Sequence, residues 1–233
     1  MDSRPTEPIK IYGDVKVGVG GNPDTDITVG SNVIIQGQKM AMTENPPALP
    51  EITATPGTLD LSYSTSGTTY LPGGNYGNLN VNRRRLIFTG TNYTFKSITM
   101  TGNSRITIQS SSSPVTIKFT GNINMSNAQF ENLTRKSNYL MLYGTDSVTS
   151  IILDTNYGAY SYYGILSRNA YIDMKGGGTS NKDYFGSFAC SLITTENFTS
   201  IHYDKALMNV TPPVGGGGGG GGSTTNLSIK ARW

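Results

Sequence analysis

Helix formers, charge and reactive side chains are all scarce in this chain of 233 residues, which has 9 Ala, 5 Glu, one His, one Cys, one Trp and 14% charged residues. Ala and Glu are among the strongest helix formers, so their scarcity argues against an all-α or doubly wound α/β fold. A single cysteine excludes an internal disulfide and leaves the redox compartment open. One Cys with one His also excludes a structural zinc site of the usual kind. No apolar run approaches the roughly 18 residues of a transmembrane helix. Met1-Asp2-Ser3-Arg4-Pro5 lacks the apolar region of a signal peptide, so the expectation is a cytoplasmic protein or the soluble part of a longer exported one.

The net charge of +3 is too small to argue for a nucleic-acid partner. The only basic cluster is Arg83-Arg84-Arg85, which leads into the strand-like Leu86-Ile87-Phe88. It reads as a strand edge or turn guarded by charge, with a contact to phosphate or an anionic polymer as the alternative. Catalytic carboxylate pairs come together from distant segments, but nothing marks a pair among the 10 Asp and 5 Glu. Gly18-Val19-Gly20-Gly21 leads into no helix with the Lys-Ser/Thr of a phosphate loop. Asn22-Pro23-Asp24-Thr25-Asp26 lacks the ligand series of a calcium loop and reads as an Asx-type turn. No catalytic residue, cofactor or metal ligand is therefore expected. Cys190, in Phe188-Ala189-Cys190-Ser191-Leu192, reads as a small core hydrophobe; His202 is the one base available for a nucleophile reading.

What the chain has in quantity is 29 Thr, 29 Gly, 23 Ser and 20 Asn, more than two-fifths of its length. These residues suit turns and the outward positions of strands, and the 14 Tyr supply apolar mass that a disordered chain lacks. Ile9, Ile11, Val15, Val17 and Val19 alternate at period two, as do Ile27, Val29, Val33 and Ile35. Residues 42–75 carry Pro46, Pro47, Pro50, Pro56 and Pro72 and read as a crossing segment, with room for a short strand at 59–63.

Short alternating segments then recur: Leu79/Val81, Leu86/Phe88, Tyr93/Phe95, Ile98/Met100, Ile106/Ile108, Val115/Ile117/Phe119, Ile123/Met125, Leu140/Leu142, Ile151/Leu153 and Tyr163/Ile165. Residues 171–174 and 185–192 and the pair Phe198/Ile201 continue the series. Gly90, Gly102-Asn103, Gly121-Asn122 and Gly176 supply corners. Strands this short with corners this tight favour a single-stranded parallel β-solenoid over a sandwich. The coils are irregular, because the Gly-Asn corners do not recur at one spacing.

The domain reading is N-terminal coils over 1–41, a Pro-rich crossing over 42–75 and a main body over 76–210. A glycine loop with a last strand follows over 211–233, all within one domain. His202-Tyr203-Asp204 reads as a structural motif that caps the last coil, since adjacent strand residues point to opposite faces. Chance accounts for the number of Asn-x-Ser/Thr sequons, at Asn92, Asn132, Asn197, Asn209 and Asn226.

Tyr163-Gly164-Ile165-Leu166-Ser167-Arg168-Asn169-Ala170-Tyr171-Ile172-Asp173-Met174, then Gly176-Gly177-Gly178, then Tyr184-Phe185-Gly186-Ser187-Phe188-Ala189 and Ile201-His202-Tyr203-Asp204-Lys205-Ala206-Leu207 carry a resemblance. So does the opening Ile11-Tyr12-Gly13-Asp14-Val15-Lys16-Val17-Gly18. The pattern resembles an uncharacterised β-solenoid domain of bacterial secreted and type IV pilus-associated, PilX-like proteins. The resemblance implies a non-enzymatic structural or adhesive module, extracellular or at the cell surface, with other subunits of a pilus or surface assembly as partners and self-stacking as an option. It implies no catalytic residues. The alternatives are an ice- or polysaccharide-binding solenoid, with Thr99, Thr101 and Ser104 through Ile108 on one face, and a polysaccharide lyase or hydrolase.

Overall fold

A computed structural model describes residues 9–11, 14–28, 33–44, 49–111, 113–155, 160–176, 182–196, 199–204 and 207. They fall into two compact units, one within residues 1–48 and one within residues 49–222, where the sequence suggested a single domain. The glycine run and the strand expected near Trp233 lie outside the described residues, as do Asn197, Asn209 and Asn226.

In the first unit β1 (Ile9–Ile11) and β2 (Val15–Val17) are followed by a one-turn helix α1 (Pro23–Asp26), β3 (Val33–Ile35) and β4 (Lys39–Ala41). β1 pairs β3 and β2 pairs β4, both in parallel. Parallel pairing of strands this close in sequence is a coil stacked on a coil, because antiparallel neighbours alone are joined by tight hairpins. Ile27, expected in a strand, is instead buried just after the helix.

The second unit is a parallel β-solenoid of about seven turns. Its first coil holds β5 (Leu61–Tyr63), β6 (Gly67–Leu71) and β7 (Gly74–Asn75). The second holds β8 (Asn78–Asn82), β9 (Arg84–Phe88) and β10 (Asn92–Phe95). The third holds β11 (Ser97–Thr101), β12 (Arg105–Ile108) and β13 (Val115–Phe119). The fourth holds β14 (Ile123–Ser126), β15 (Gln129–Asn132) and β16 (Leu140–Gly144). The remaining coils are built from β17 (Ser150–Thr155), β18 (Tyr160–Tyr162), β19 (Gly164–Gly176), β20 (Lys182–Gly186), β21 (Phe188–Glu196) and β22 (Thr199–Tyr203).

Each position around the coil stacks into a sheet, giving three faces. On the first, Leu61, Leu79, Ile98, Ile123, Ile151, Ile172 and Ile193 form one continuous inward row. Its steps run from 18 residues (Leu61 to Leu79) to 28 (Ile123 to Ile151), which is why no fixed repeat is visible. The second face stacks Leu86, Ile106 and Phe130 inward, and the third Tyr93, Ile117, Leu142, Ile165 and Phe188. Together these rows make one buried core. β19 pairs β16 through Gly164 to Leu166 and β17 through Tyr171 to Gly176, so this one long strand passes from the third face to the first.

The corner between the first and second faces is turned by residues at positive φ: Arg83 (56°), Gly102 and Asn103 (64° and 68°) and Asn127 (52°). Asn tolerates this left-handed conformation through its short polar side chain. At another corner, a Cβ added to Gly186 would overlap the Tyr163 carbonyl oxygen of the coil below. Gly186→Ala is therefore expected to cost about 2–3 kcal/mol, because backbone, unlike a side-chain tip, cannot yield. A chemical-denaturation midpoint equal to that of the parent would contradict this.

Residues 42–75 depart from the expected crossing. Three strands of the first coil occupy 61–75, and Thr68, Thr69 and Tyr70 pair with Arg85, Leu86 and Ile87. This stretch forms strands although it is sparse in apolar residues, since a terminal coil has a neighbour on only one side. The part that does cross is 49–57, and it crosses along the outside. Ile52 is buried against Tyr143 and Leu166, with Leu49, Met141 and Ala189 around them. Lys118 Nζ then donates to the Thr53 carbonyl at 3.4 Å, and Thr53, Ala54 and Thr55 edge a shallow polar groove with Asn75, Thr94 and Lys118. Gly57 reaches the Asn75 carbonyl. The segment thus straps the third face from the sixth coil back to the first. It explains why Tyr143, an outward residue, is buried, and that burial pushes its phenol up to about 12.

Candidate functional site

The outer side of the second face carries the densest polar chemistry. Alternation points Arg85 and Ile87, Arg105 and Thr107, and Gln129 and Glu131 outward, since Leu86, Ile106 and Phe130 point in. Register sets Arg85 directly beside Arg105, and Thr107 beside Glu131. Two like charges on neighbouring strands repel, and Glu131 relieves that repulsion. Arg85 donates from Nη2 to Glu131 Oε2 at 2.8 Å and from Nε to Thr107 Oγ1 at 2.9 Å. Arg105 Nη1 donates to Glu131 Oε1, and Thr107 Oγ1 to Glu131 Oε2, both at 2.8 Å.

Partial burial alone would raise the Glu131 carboxyl, but the Thr107 hydroxyl and the Arg85 and Arg105 guanidiniums outweigh it and hold the group below its ordinary 4.5. A carboxyl lowered on folding stabilises the native state above its unfolded pKa, and that stabilisation is lost as pH falls through the folded value. The contribution of Glu131 to stability is therefore expected to be constant with pH around neutrality and to decline below about pH 4.5. Glu131→Gln, compared with the parent by urea unfolding across that range, is expected to lose stability at neutral pH and to show a shallower acid limb. Parallel acid limbs would contradict the assignment.

The other two members of the basic cluster do different work. Arg83 turns the corner and is exposed. Arg84 donates from Nε and Nη2 to the Thr65 and Ser66 carbonyls and from Nη1 to Thr69 Oγ1, with its guanidinium 5.8 Å over the Tyr63 ring. Among the described residues its hydrogen-bond acceptors are all neutral.

Further along the stack, β18, β20 and β22 place Tyr162, Phe185 and His202 in one outward row, and Tyr160, Asp183 and Ser200 in the next. Phe185 lies 5.0 Å from Tyr162 and 4.5 Å from His202, with ring planes within 17° and 12° of parallel. The rings face one another along the stack and present their edges to solvent. His202 Nε2 lies 2.8 Å from Asp183 Oδ1; a carboxylate only accepts, so Nε2 bears the proton. Tyr203 is half exposed. Asp204 accepts from the Ser137 amide at 3.3 Å through Oδ2, and its own amide donates to the Gly186 carbonyl.

Cys190 and His202 belong to different sheets and form no pair. The Cys190 thiol packs against the core, donates to the Leu192 carbonyl at 3.4 Å and is pushed up to about 12 by burial. Asn22 caps the short helix by accepting from the Asp24 amide at 3.0 Å, while Asp26 Oδ2 accepts from the Asn22 amide at 3.0 Å. Asn132 is buried, with its amide on the Lys136 and Tyr162 carbonyls. Thr99 and Thr101 point outward on the first face, whose neighbouring rows bear Asn80 and Asn124, and Asn82 and Ser126. Ser104 is fully buried, and Ile106 and Ile108 point into the core.

Sequence reasoning did not find Arg105, Glu131, Asp183 or Phe185 as members of shared sites. Glu131 lies 46 positions from Arg85, and only the irregular coil lengths bring them together. Comparison with protein-family models, curated proteins and solved structures finds no match. Among the described residues, no helix is long and apolar enough to cross a membrane.

Proposed function

We propose that the chain is a non-enzymatic structural or adhesive module of a cell-surface or pilus-associated assembly. The observation that carries this reading is the use made of its charged and titratable groups. Glu131 ties β9 and β12 to β15, Arg168 pairs with Asp146 across neighbouring coils, and His202 with Asp183 ties β22 to β20. Groups fixed as cross-coil ties hold the stack of coils together and are poorly placed to exchange protons with a substrate. The residues that resemble the pilus-associated domain fall largely in the last three coils and support the same reading.

Two measurements test it. Antibodies to the chain are expected to label intact cells of the source organism; labelling only after lysis would overturn the placement. Incubation with a panel of polysaccharides is expected to release no new reducing ends and no unsaturated uronates; turnover would make the chain an enzyme. Ice or glycan binding is a second reading, favoured by the neutral rows Asn80, Thr99, Asn124 and Asn82, Thr101, Ser126 on the first face. Those rows give way to Ile152 and Asp154 in the next coil. Thermal hysteresis would support the ice form of this reading.

A further inference from the structure

The outward row of the third face changes character along the stack. Asn75, Thr94 and Lys118 stand in register on the first three coils, and Tyr143, Leu166 and Ala189 continue the row on the coils that follow. The strap covers the apolar half, where Ile52 is buried. Over the polar half it leaves a groove of about 230 Å³, edged by Thr53, Ala54 and Thr55 and floored by Asn75, Thr94 and Lys118. Neighbouring strands lie about 4.8 Å apart, so the floor presents an amide, a hydroxyl and an ammonium at fixed steps.

The protein leaves most of the hydrogen-bonding capacity of this floor unused. Among the described residues the Asn75 side-chain amide and the Thr94 hydroxyl make no hydrogen bond, and Lys118 has no carboxylate partner. Its ammonium carries three donors, of which one reaches the Thr53 carbonyl at 3.4 Å. Among the described residues the strap over 49–57 makes no main-chain hydrogen bond, so its amides and carbonyls border the groove without partners. Thr94 and Lys118 stand on strands paired on both sides, which holds the floor in place before a ligand arrives and lowers the ordering cost of binding. One cation among neutral groups that both donate and accept suits an anion of single charge that carries hydroxyls of its own. A phosphate would bring up to two charges to that single cation. The volume lies below the roughly 300–1,000 Å³ of sites for drug-sized ligands, which suits one sugar unit.

We propose that this groove binds a single hexuronate unit, with its carboxylate on the Lys118 ammonium and its hydroxyls on Thr94, Asn75 and the strap backbone. The unit is a free sugar acid or one residue of an acidic polysaccharide, which share this chemistry. The site lies beyond the structural or adhesive reading and does not depend on it. No aromatic ring among the lining residues covers the C–H face of the sugar, so binding rests on polar contacts made in competition with water. A dissociation constant of about 1 mM is therefore expected.

The test is titration of the full chain with galacturonate, galactose, acetate, inorganic phosphate or polygalacturonate, followed by the amide chemical shifts of the assigned protein. Galacturonate is expected to shift the amides of Thr53, Ala54, Thr55, Asn75, Thr94 and Lys118 together, and galactose to do so about tenfold more weakly, the scale of one charge-assisted hydrogen bond. Acetate and phosphate are expected to leave them in place at the same concentrations. A site for the free acid responds to galacturonate alone, whereas one that takes a residue within a chain responds to polygalacturonate as well. Lys118→Gln is expected to weaken galacturonate binding about tenfold. Thr94→Val, which keeps the shape and loses the hydroxyl, is expected to weaken it several-fold with an unchanged thermal midpoint. No shift at these amides with galacturonate, an equal shift with acetate or phosphate, or full binding by both variants would each overturn the proposal. Surface labelling of intact cells is independent of these outcomes, so an empty groove leaves the structural or adhesive reading to its own tests.

Discussion

Phe95→Ala is expected to destabilise the solenoid by about 3–5 kcal/mol, the range for truncating a fully buried aromatic residue. Phe95 has no exposed surface and lies in the inward row of the third face opposite Phe119. Its ring is stacked 5.5 Å from Tyr76 and 6.2 Å from Tyr93, and lies 6.3 Å from Phe88. Removing it opens a void whose walls are held by strands paired on both sides, so relaxation cannot close it. Lost transfer free energy and the cavity therefore add. Each coil of a solenoid is stabilised by its neighbours, so the loss is expected to propagate through the first three coils rather than stay local. Equilibrium unfolding in urea checks this, with Phe95→Leu as the control that restores most of the volume. An alanine variant that unfolds at the parent midpoint would mean that the aromatic rows do not hold the coils together.

Ile52→Asp is expected to release the strap while leaving the coils folded. A carboxylate at this position would be buried against Tyr143 and Leu166, and taking a charge out of water there costs more than the strap has to offer. Full burial of one Ile contributes about 1.5–3 kcal/mol, so detachment relieves the strain more cheaply than burial of the charge. The coils rely on their own inward rows and need not follow. Limited proteolysis with hydrogen exchange is the fitting measurement: cleavage within 49–57 is expected to accelerate, while the amides of β10, β13 and β16 retain their protection. Tyr143 would regain solvent, and its phenol would titrate lower than about 12. Loss of protection throughout the solenoid would show instead that the strap is a structural member of the coil stack.

The strap also shows where sequence patterning stops being informative. Tyr143 and Leu166 sit at outward positions yet are apolar, a violation of alternation that makes sense only with a cover over them. The cover is supplied by Leu49 and Ile52, more than 80 residues earlier in the chain. A prolines-and-few-apolars reading of 42–75 located the crossing, but it absorbed the first coil as well, because an end coil has fewer apolar residues to display. Phe185 shows the same limit from the other side. Its neighbours suggested a run over 185–192, whereas Ser187 separates two strands and Phe185 faces outward in the ring stack with Tyr162 and His202.

Local patterning decided the fold class of this protein. Period-two alternation, three-to-five-residue strands and left-handed corner residues such as Gly102 and Asn103 depend only on neighbouring positions, so the parallel β-solenoid and most of its inward residues are legible in the chain. The sites on its surface are not. Which outward residue lies above which depends on the length of every intervening coil, and those lengths vary from 18 to 28 residues along a single row. Tertiary register alone placed Arg105 beside Arg85, set Glu131 between them and laid the 49–57 strap over Tyr143, because cross-coil hydrogen bonding fixes the pairing and the corners absorb the differences in length.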